Sequence, residues 1–306
     1  MQVKLISLLL LASASLFAQA AQVEFKPVAP GVYAFIGETD GRTYGNEGLN
    51  ANIGLVVTPA GAVLIDSGAS LQGARHIADA ARKVTSQTIR WVINTGGQDH
   101  RWLGNSYFQA QGAEIIAHQN ALPDMKARAR EQSAALASVL KEKFEGTVPA
   151  YPTRLLAGES NRLELGGMVL EVKHRMGGHT PGDSIVWLPA QKIAFSGDVV
   201  YVDRVLGLHP VSRTKNWLDS FAMLEELGPR VIVPGHGAIA DLPKAQAHTR
   251  DLLLALRAHM RKAVDNGVDP STAVKSFNAQ AFKELQHADI WIPQLANHTY
   301  LEIEQE

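Results

Sequence analysis

The chain has 306 residues, of which 46% are hydrophobic and 19% are charged, and its formal net charge at pH 7 is −1. This composition supports a large buried core and excludes a disordered chain, and the lack of a long basic block argues against nucleic acid as the main partner. There is no cysteine, so disulfides, thiolate ligands and cysteine nucleophiles are excluded. A metal site would have to use His, Asp, Glu or amide ligands.

The first twenty residues have the pattern of a secretory signal peptide. Lys4 supplies positive charge, residues 5–17 form an apolar run, and Ala18-Gln19-Ala20 is a small-x-small cleavage site. Because the apolar run is too short to span a bilayer comfortably, we expect cleavage after Ala20. A signal peptide on a chain without disulfides predicts a periplasmic protein with no membrane segment after cleavage.

Short strands and helices then alternate along the chain. Strands are predicted at 32–36, 51–57, 62–66, 89–93 and 114–117, with a helix after the capping residue Ser70 and another at 105–111. Residues 120–150 are rich in Ala, Lys, Arg and Glu and predict a helical insertion. Further strands are predicted at 162–165, 168–173, 184–188, 192–196 and 230–233, and a helix at 217–227.

Residues 242–306 predict a C-terminal helical extension, with a long helix at 242–263 and a break at Gly267. Two strand-rich halves, each followed by helices, predict an α/β fold in which two sheets lie between helical layers, a four-layer αββα sandwich. The main domain would cover residues 21–241, with the insertion inside it and the extension packed on it. We expect the insertion and the extension to roof the ligand cleft.

Five side chains that bind metal ions in other proteins follow predicted strands in Gly-rich turns. They are Asp99, His100, His179, Asp198 and His236. Glycine neighbours let the backbone turn sharply and bring such ligands inward. A hydrolytic zinc site needs three protein ligands and an open position, where the bound water becomes hydroxide near neutral pH. The set therefore predicts one metal centre, with zinc first and iron or manganese as alternatives.

These turns resemble those of the metallo-β-lactamase-fold metallohydrolases. The resemblance covers nearly all of the mature chain and is carried by Ile65-Asp66-Ser67-Gly68, Gly178-His179-Thr180-Pro181-Gly182, Ser196-Gly197-Asp198 and Pro234-Gly235-His236-Gly237. It is closest to exported zinc hydrolases that accompany quinoproteins and sulfur-oxidation systems, and more broadly to the glyoxalase II group. The family's fold, two sheets between helices, agrees with the predicted element order.

The resemblance also implies roles for individual residues. Asp99, His100 and His236 would bind the second metal position, His179 would bind the first, and Asp198 would bridge the two. Asp66 and Asp183 would orient the ligands through hydrogen bonds. For Asp66, a hydrogen bond to its own loop remains the alternative.

The first loop departs from the family pattern His-x-His-x-Asp-His. In Asn94-Thr95-Gly96-Gly97-Gln98-Asp99-His100 the Asp-His pair is present, but both earlier histidines are missing. Counting back from His100 places them at Thr95 and Gly97, and counting forward from Thr95 places them at Gly96 and Gln98 with one residue deleted. Gln98 offers only an amide oxygen, a weak zinc ligand. We therefore expect one tightly bound zinc, a second ion that is weak or absent, and Asp99 and Asp198 as the catalytic carboxylates.

The leading hypothesis is a periplasmic metal-dependent hydrolase that acts on an ester, thioester or lactone-like bond of a small molecule. A non-catalytic binding protein that retains the fold is the alternative, because the His-x-His pair is lost. A β-lactamase is a third hypothesis, although the glyoxalase-like Ser-Gly-Asp turn argues against it. A periplasmic quinoprotein system is a candidate partner, and no organic cofactor site is predicted.

Overall fold

The computed structural model of this protein describes residues 22–306, so the predicted signal peptide lies outside the described residues. Within residues 22–306, twelve strands form two β-sheets. The first sheet follows chain order: β1 Lys26–Ala29, β2 Val32–Phe35, β3 Ile53–Thr58, β4 Gly61–Ile65, β5 Ile89–Asn94, β6 Glu114–His118 and β7 Arg154–Leu156. The second contains β8 Ser160–Leu165, β9 Met168–Lys173, β10 Ile185–Leu188, β11 Ile193–Tyr201 and β12 Val231–His236, in the order β12-β11-β10-β9-β8.

Nine α-helices accompany the sheets in the same part of the chain. They are α1 Leu71–Val84, α2 Asp99–Trp102, α3 Asn105–Ala110, α4 Ala121–Leu140, α5 Thr214–Leu227, α6 Leu242–Ala245, α7 Asp251–Asp265, α8 Pro270–Ser276 and α9 Ala288–Glu304. Neighbouring strands from β1 to β4 are antiparallel and those from β4 to β7 are parallel, whereas only β11 and β12 are parallel in the second sheet.

The two sheets face each other across the main hydrophobic core. Alternation along β4 sends Val63 and Ile65 between the sheets and Leu64 to the outer face, where it belongs to the cluster that includes α1. The sheets approach closely at Gly54, since a Cβ there would lie 2.5 Å from the ring of Phe195. With α1 and α3 on the first sheet and α5 on the second, the predicted αββα sandwich is confirmed.

Local sequence determines α1, the helix that covers the first sheet. Ser70 caps its N-terminus, because the Oγ atom accepts a hydrogen bond from the backbone N–H of Gly73 at 3.0 Å. Ala74, Ile77 and Ala81 then recur at helical spacing and are buried against the sheet. The cap and the apolar face together make this helix predictable from sequence.

Three features differ from the sequence prediction. The strands β1 and β7 were not predicted, because edge strands of four and three residues are too short to show alternation. The strand β11 runs through Asp198, where a turn was predicted; Gly197, at a φ of +50°, makes its pairing with β12 irregular without ending the strand. The helix predicted at 242–263 is divided by the π-helical segment Gln246–Arg250, in which the Thr249 hydroxyl donates to the Tyr201 carbonyl at 2.7 Å.

The C-terminal helices α7, α8 and α9 form a compact unit that packs on the second sheet's helical layer. Leu253 and Leu256 of α7, Leu295 of α9 and Trp217 of α5 share one buried cluster. This packing places α9 beside the ends of β11 and β12, where the predicted metal ligands lie. Among residues 22–306, no helix combines the length and apolar character needed to cross a membrane.

We expect Ser70→Ala to lower the free energy of unfolding by about 1 kcal/mol, because the first turn of α1 loses its side-chain acceptor. Urea denaturation followed by tryptophan fluorescence measures this change. The control is Ser271→Ala on the exposed surface of α8, which should change stability by less than about 0.5 kcal/mol. Equal effects of the two substitutions would contradict the capping role.

Candidate metal centre

One buried arginine that the sequence interpretation overlooked connects both sheets beneath the predicted centre. Arg101, in α2, is fully buried and uses all five of its N–H donors. Its Nε and Nη2 donate to the two carboxylate oxygens of Asp198 at 3.1 and 2.6 Å, and Nη1 donates to Asp66 at 2.9 Å. The remaining bonds reach the carbonyls of Asn52 and Gly235 at 3.2 and 3.1 Å. Arg101 thus ties together β3, β4, β11 and β12.

The ion pair determines the charges in this part of the core. Burial alone would raise the pKa of Asp198, but the Arg101 guanidinium outweighs it and holds that pKa well below the usual range. Burial likewise opposes the charge of Arg101, yet the carboxylates of Asp198 and Asp66 raise its pKa above the ordinary value. Arg101 is therefore a permanent positive charge directly beside a predicted metal ligand.

Three of the predicted ligands converge on one point above Asp198. The Nε2 atom of His100 lies 3.5 Å from Oδ2 of Asp198, and Nε2 of His236 lies 3.3 Å from Oδ1. One ligand atom from each of these buried residues falls within 4.8 Å of the other two. The His100 Nε2 atom has no hydrogen-bond partner within the described part of the chain. A buried, unpartnered nitrogen facing a carboxylate and a second imidazole is what a metal site requires.

Backbone carbonyls orient two of the imidazoles. The Nδ1 atom of His236 lies 2.8 Å from the Asn50 carbonyl, and Nδ1 of His179 lies 3.2 Å from the Gly207 carbonyl. These contacts engage the Nδ1 protons and leave the Nε2 lone pairs free. Burial lowers the pKa of His236 to about 3 and that of His179 well below its ordinary value, so both rings are neutral. His179 Nε2 stays 4.0 Å from Asp198 and outside the three-residue group.

Asp99, predicted as a ligand and a catalytic carboxylate, does not join the group. Arg42 donates to its Oδ1 atom from Nε at 2.9 Å and also from Nη2. Burial opposes ionisation of Asp99, but Arg42 outweighs it and holds the pKa of Asp99 well below its usual range. Nη2 of Arg42 also lies 3.1 Å from Nδ1 of His100, and Oδ1 of Asp99 lies 3.3 Å from the same Nδ1 atom. Held by Arg42, Asp99 lies beside the His100 imidazole and outside the three-residue group, and its predicted roles as a ligand and a catalytic carboxylate stay predictions.

The two carboxylates predicted to orient ligands hold the loops that carry them. Asp66 accepts hydrogen bonds from the backbone N–H and the hydroxyl of Thr95 at 2.7 and 2.8 Å, which anchors the first loop. Asp183 accepts from the backbone N–H of Thr180 at 2.7 Å and from its hydroxyl, directly after His179. Burial raises the pKa of Asp183 to about 8. Each carboxylate thus positions a backbone segment beside the centre.

The geometry favours a third alignment of the first loop with the motif His-x-His-x-Asp-His. Residues 96–101 have the same length as the motif, so no deletion is needed. Gly96 and Gln98 then replace the first two histidines, His100 replaces the aspartate and Arg101 replaces the last histidine. Both alignments in the sequence analysis matched Asp99 and His100 to the Asp-His pair of the motif, because the residue types are the same. Aligning the loop by length alone would have revealed Arg101.

The two glycines of this loop leave no room for a side chain. A Cβ atom at Gly97 would lie 2.2 Å from Oδ2 of Asp124 in α4, and one at Gly96 would lie 2.6 Å from Oδ1 of Asp183. Neither distance is compatible with a side chain unless the neighbouring carboxylate moves. Of the two positions that the third alignment gives to the missing histidines, Gly96 therefore excludes a side chain, whereas Gln98 carries one that points toward α4.

The insertion supports this loop and does not roof the cleft. The Gly97 carbonyl accepts hydrogen bonds from Nε1 of Trp102 at 3.1 Å and from Nε2 of Gln132 at 2.9 Å. Gln98, the predicted weak ligand, accepts from Nη1 of Arg128 at 3.3 Å and so points toward α4. Residues 120–150 line no part of the cavity above the centre.

A cavity of about 230 Å³ lies above the three converging residues. Trp291 and Gln294 of α9 contribute to its wall, as expected for the C-terminal extension, and so does His209. Tyr201 stacks on the His236 ring with centroids 4.8 Å apart. The centre is thus buried on the strand side and accessible from the cavity side.

The donor set fits one metal ion. His100 and His236 supply imidazole nitrogens, Asp198 supplies an ionised oxygen, and the cavity leaves a coordination position open, as in catalytic zinc sites. A second ion would have only His179 and a shared carboxylate, and the guanidinium of Arg101 would repel it. The permanent positive charge of Arg101 stands where the family motif has a histidine.

We expect Arg101→Met to destabilise the protein by about 3–5 kcal/mol, because it leaves Asp66 and Asp198 buried without their cation. Urea denaturation measures the loss. The control, Arg82→Met, removes an arginine from an exposed pair with Asp79 and should cost less than about 1 kcal/mol. An unchanged free energy of unfolding for Arg101→Met would exclude the structural role of this ion pair.

Gly97→Ala should lower the free energy of unfolding by about 1–3 kcal/mol, because the added Cβ collides with Asp124. Gly41→Ala is the matched control, since no atom lies within 4 Å of a Cβ at that position. Gly97→His should leave the metal content unchanged in elemental analysis. A second ion gained by that variant would show that the loop opens readily.

Comparison with known proteins places this fold in a family. The model of the Metallo-beta-lactamase superfamily matches residues 46–236. The acyl-coenzyme A thioesterase MBLAC2 of Gallus gallus is 38% identical over 92 residues, which cover 29% of this chain and only 32% of the thioesterase's length. A metallo-beta-lactamase type 2 of Elizabethkingia meningoseptica is 23% identical over 239 residues, which cover 77% of this chain and 86% of that protein.

The fold is also shared with solved structures. A double mutant of the sec-alkyl sulfatase PisA1 superposes with a TM-score of 0.71 at 16% sequence identity, over 91% of this chain and 50% of the sulfatase chain. The two-sheet architecture, the superposition and the family match over more than half of the sequence lead to one conclusion. This chain belongs to the metallo-beta-lactamase superfamily of hydrolases.

Proposed function

We propose that this protein is a hydrolase that uses a single metal ion, with zinc first, to cleave an ester, thioester or lactone-like bond in a small molecule. The observation that carries the proposal is the convergence of His100, Asp198 and His236 within 4.8 Å at the base of a cavity. A bound ion would supply an activated water and polarise the carbonyl group. Iron and manganese are the alternative ions for this oxygen and nitrogen donor set.

The surrounding residues would hold this centre in place. Arg101 keeps Asp198 ionised and fixes both of its oxygens, so Asp198 is better suited to bind the ion than to accept a proton. Arg42 and Asp99 flank the Nδ1 atom of His100, and the Asn50 carbonyl orients His236. A neutral His179 at the rim presents its Nε2 lone pair, which can accept a hydrogen bond from the attacking water.

The names of the relatives support the type of bond that we propose this protein cleaves. The segment that is 38% identical belongs to a thioesterase, and the longer match belongs to a metallo-beta-lactamase. Both names describe hydrolysis of an acyl bond, in keeping with an ester, thioester or lactone. Hydrolysis of a β-lactam remains a third hypothesis, and a substrate panel that includes one β-lactam tests it.

A non-catalytic binding protein is the second candidate function, and one observation favours it. Arg101 already donates to both oxygens of Asp198, so a metal ion would have to share a carboxylate that is fully hydrogen-bonded. If the Arg101 guanidinium alone neutralises Asp198, no metal ion binds there, and the protein would bind a ligand without cleaving it. Metal content separates the two functions directly.

The proposal places the mature protein in the periplasm, because residues 1–20 have the pattern of a signal peptide. A periplasmic quinoprotein system as partner is proposed on the sequence resemblance alone. The division into a main domain of residues 21–241 and a C-terminal extension of residues 242–306 belongs to the same proposal. Mass spectrometry of protein from the periplasmic fraction should give a chain that begins at Ala21.

Elemental analysis of the purified mature protein should find about one metal ion per chain, as the single set of three ligands requires. His236→Ala should lose the ion and the hydrolysis of ester, thioester and lactone substrates. His259→Ala on α7 is the control, because its imidazole lies outside the cavity lining and contacts the Ala273 carbonyl, Ser276 and the Phe277 ring. No metal, and no turnover after zinc is added, would refute the hydrolase and leave the binding protein.

A further inference from the structure

A stripe of polar side chains runs along the buried face of α4, the long helix of the insertion. Asp124, Arg128 and Gln132 recur every four residues and therefore share one side of the helix. Asp124 and Gln132 are buried, and they lie beside the apolar residues Met125 and Ala129 of the same helix. Apolar residues would pack there at lower cost, because a buried polar group needs a hydrogen-bond partner. Packing alone therefore does not explain the stripe.

All three side chains contact one residue of the first loop, Gly97. Nε2 of Gln132 donates to the Gly97 carbonyl at 2.9 Å, and its Oε1 accepts from Nε1 of Trp102 at 3.1 Å. Nη2 of Arg128 donates to the same carbonyl at 3.4 Å. Asp124 accepts from Nε of Arg128 at 2.7 Å and fills the space where a Cβ of Gly97 would lie. Three side chains of one helix thus hold the backbone of Gly97.

The same glycine is connected to the loop of residues 177–184, which carries His179. The backbone N–H of Gly97 donates to Oγ1 of Thr180 at 3.2 Å. Asp183 holds Thr180 in turn, through its backbone N–H and its hydroxyl. Thr180 directly follows His179, and Gly97 lies three residues before His100. Gly97 therefore links α4 to both loops, so a displacement of Gly97 would move both imidazoles.

We propose that the polar stripe of α4, with Gln132 as its main contact, positions the loop of His100 relative to the loop of His179 and thereby sets the metal affinity of the centre. The members of the stripe are positioning residues, since none of them lines the cavity. They act through Gly97 on His100, whose Nε2 atom has to converge with Asp198 and His236. The insertion thus contributes to the centre from behind the first loop.

The effect on metal affinity rests on the proposed single-metal hydrolase, whereas the coupling of the two loops does not. The coupling is a property of the metal-free chain, and hydrogen–deuterium exchange of the backbone amides reports local opening of each loop. One measurement therefore tests the coupling without metal, and a second tests its consequence for metal binding.

The first measurement is hydrogen–deuterium exchange of the full mature chain without metal, followed for residues 94–103 and 177–184. Gln132→Met keeps the length of the buried side chain and loses both of its hydrogen bonds. We expect exchange to rise severalfold in both segments. The control, Leu163→Ala, removes buried volume from β8, outside both loops, and should leave both segments at the wild-type rate although it destabilises the fold.

The second measurement is zinc affinity, determined by competition with a chromophoric chelator. Gln132→Met should weaken zinc binding about tenfold to a hundredfold, the loss typical when a group that supports a metal ligand is removed. Leu163→Ala should bind zinc as the wild type does. If Gln132→Met does not fold, Arg128→Lys replaces it, because a lysine cannot reach Asp124, Gln98 and the Gly97 carbonyl together.

The outcomes separate this inference from the proposed function. Wild-type exchange in both segments for every folded variant of the stripe would overturn the inference, as would a rise confined to residues 94–103. Raised exchange in both segments of a protein that binds no zinc would support the coupling and remove the metal-dependent hydrolase. One zinc ion per chain, bound by Gln132→Met with wild-type affinity, would retain the metal centre and overturn the positioning role.

Discussion

The buried ion pair between Arg101 and Asp198 is the interaction on which the rest of the centre depends. Through five hydrogen bonds, Arg101 joins β11 and β12 of the second sheet to the ends of β3 and β4 in the first. A guanidinium enclosed by two carboxylates and two carbonyls tolerates burial because every donor is satisfied. These hydrogen bonds therefore hold the two sheets in one relative position, and His100 and His236 are held in place with them.

The same interaction makes the centre asymmetric. Asp198 offers its oxygens to a fixed guanidinium on one side and to His100 and His236 on the other. The chain itself thus supplies one positive charge beside the candidate ligand Asp198. The packing of Gly96 against Asp183 agrees with this, since it closes the space that the first histidine of the motif would need.

The chemistry of the cavity comes from a different layer of the fold. The helix α9 brings Trp291 to the cavity, and the loop after β11 brings Arg204 beside it. The candidate metal ligands come from the sandwich, with His100 in α2, Asp198 in β11 and His236 in β12, whereas part of the opposite wall comes from the C-terminal helices. A common fold can thus keep one hydrolytic centre while its outer helices select the substrate.

The sequence by itself determined the elements and their layers, because alternation, helical spacing and the Ser70 cap are local signals. It also marked His100, Asp198 and His236 as candidate ligands by their Gly-rich surroundings, and the structure brings these three together. It did not reveal that Asp99 turns to Arg42, that Gln98 turns to α4, or that Arg101 holds Asp198, because each depends on a partner 30 to 97 residues away. Only the tertiary structure decided these roles, because buried charged groups acquire their partners when the two sheets pack against each other.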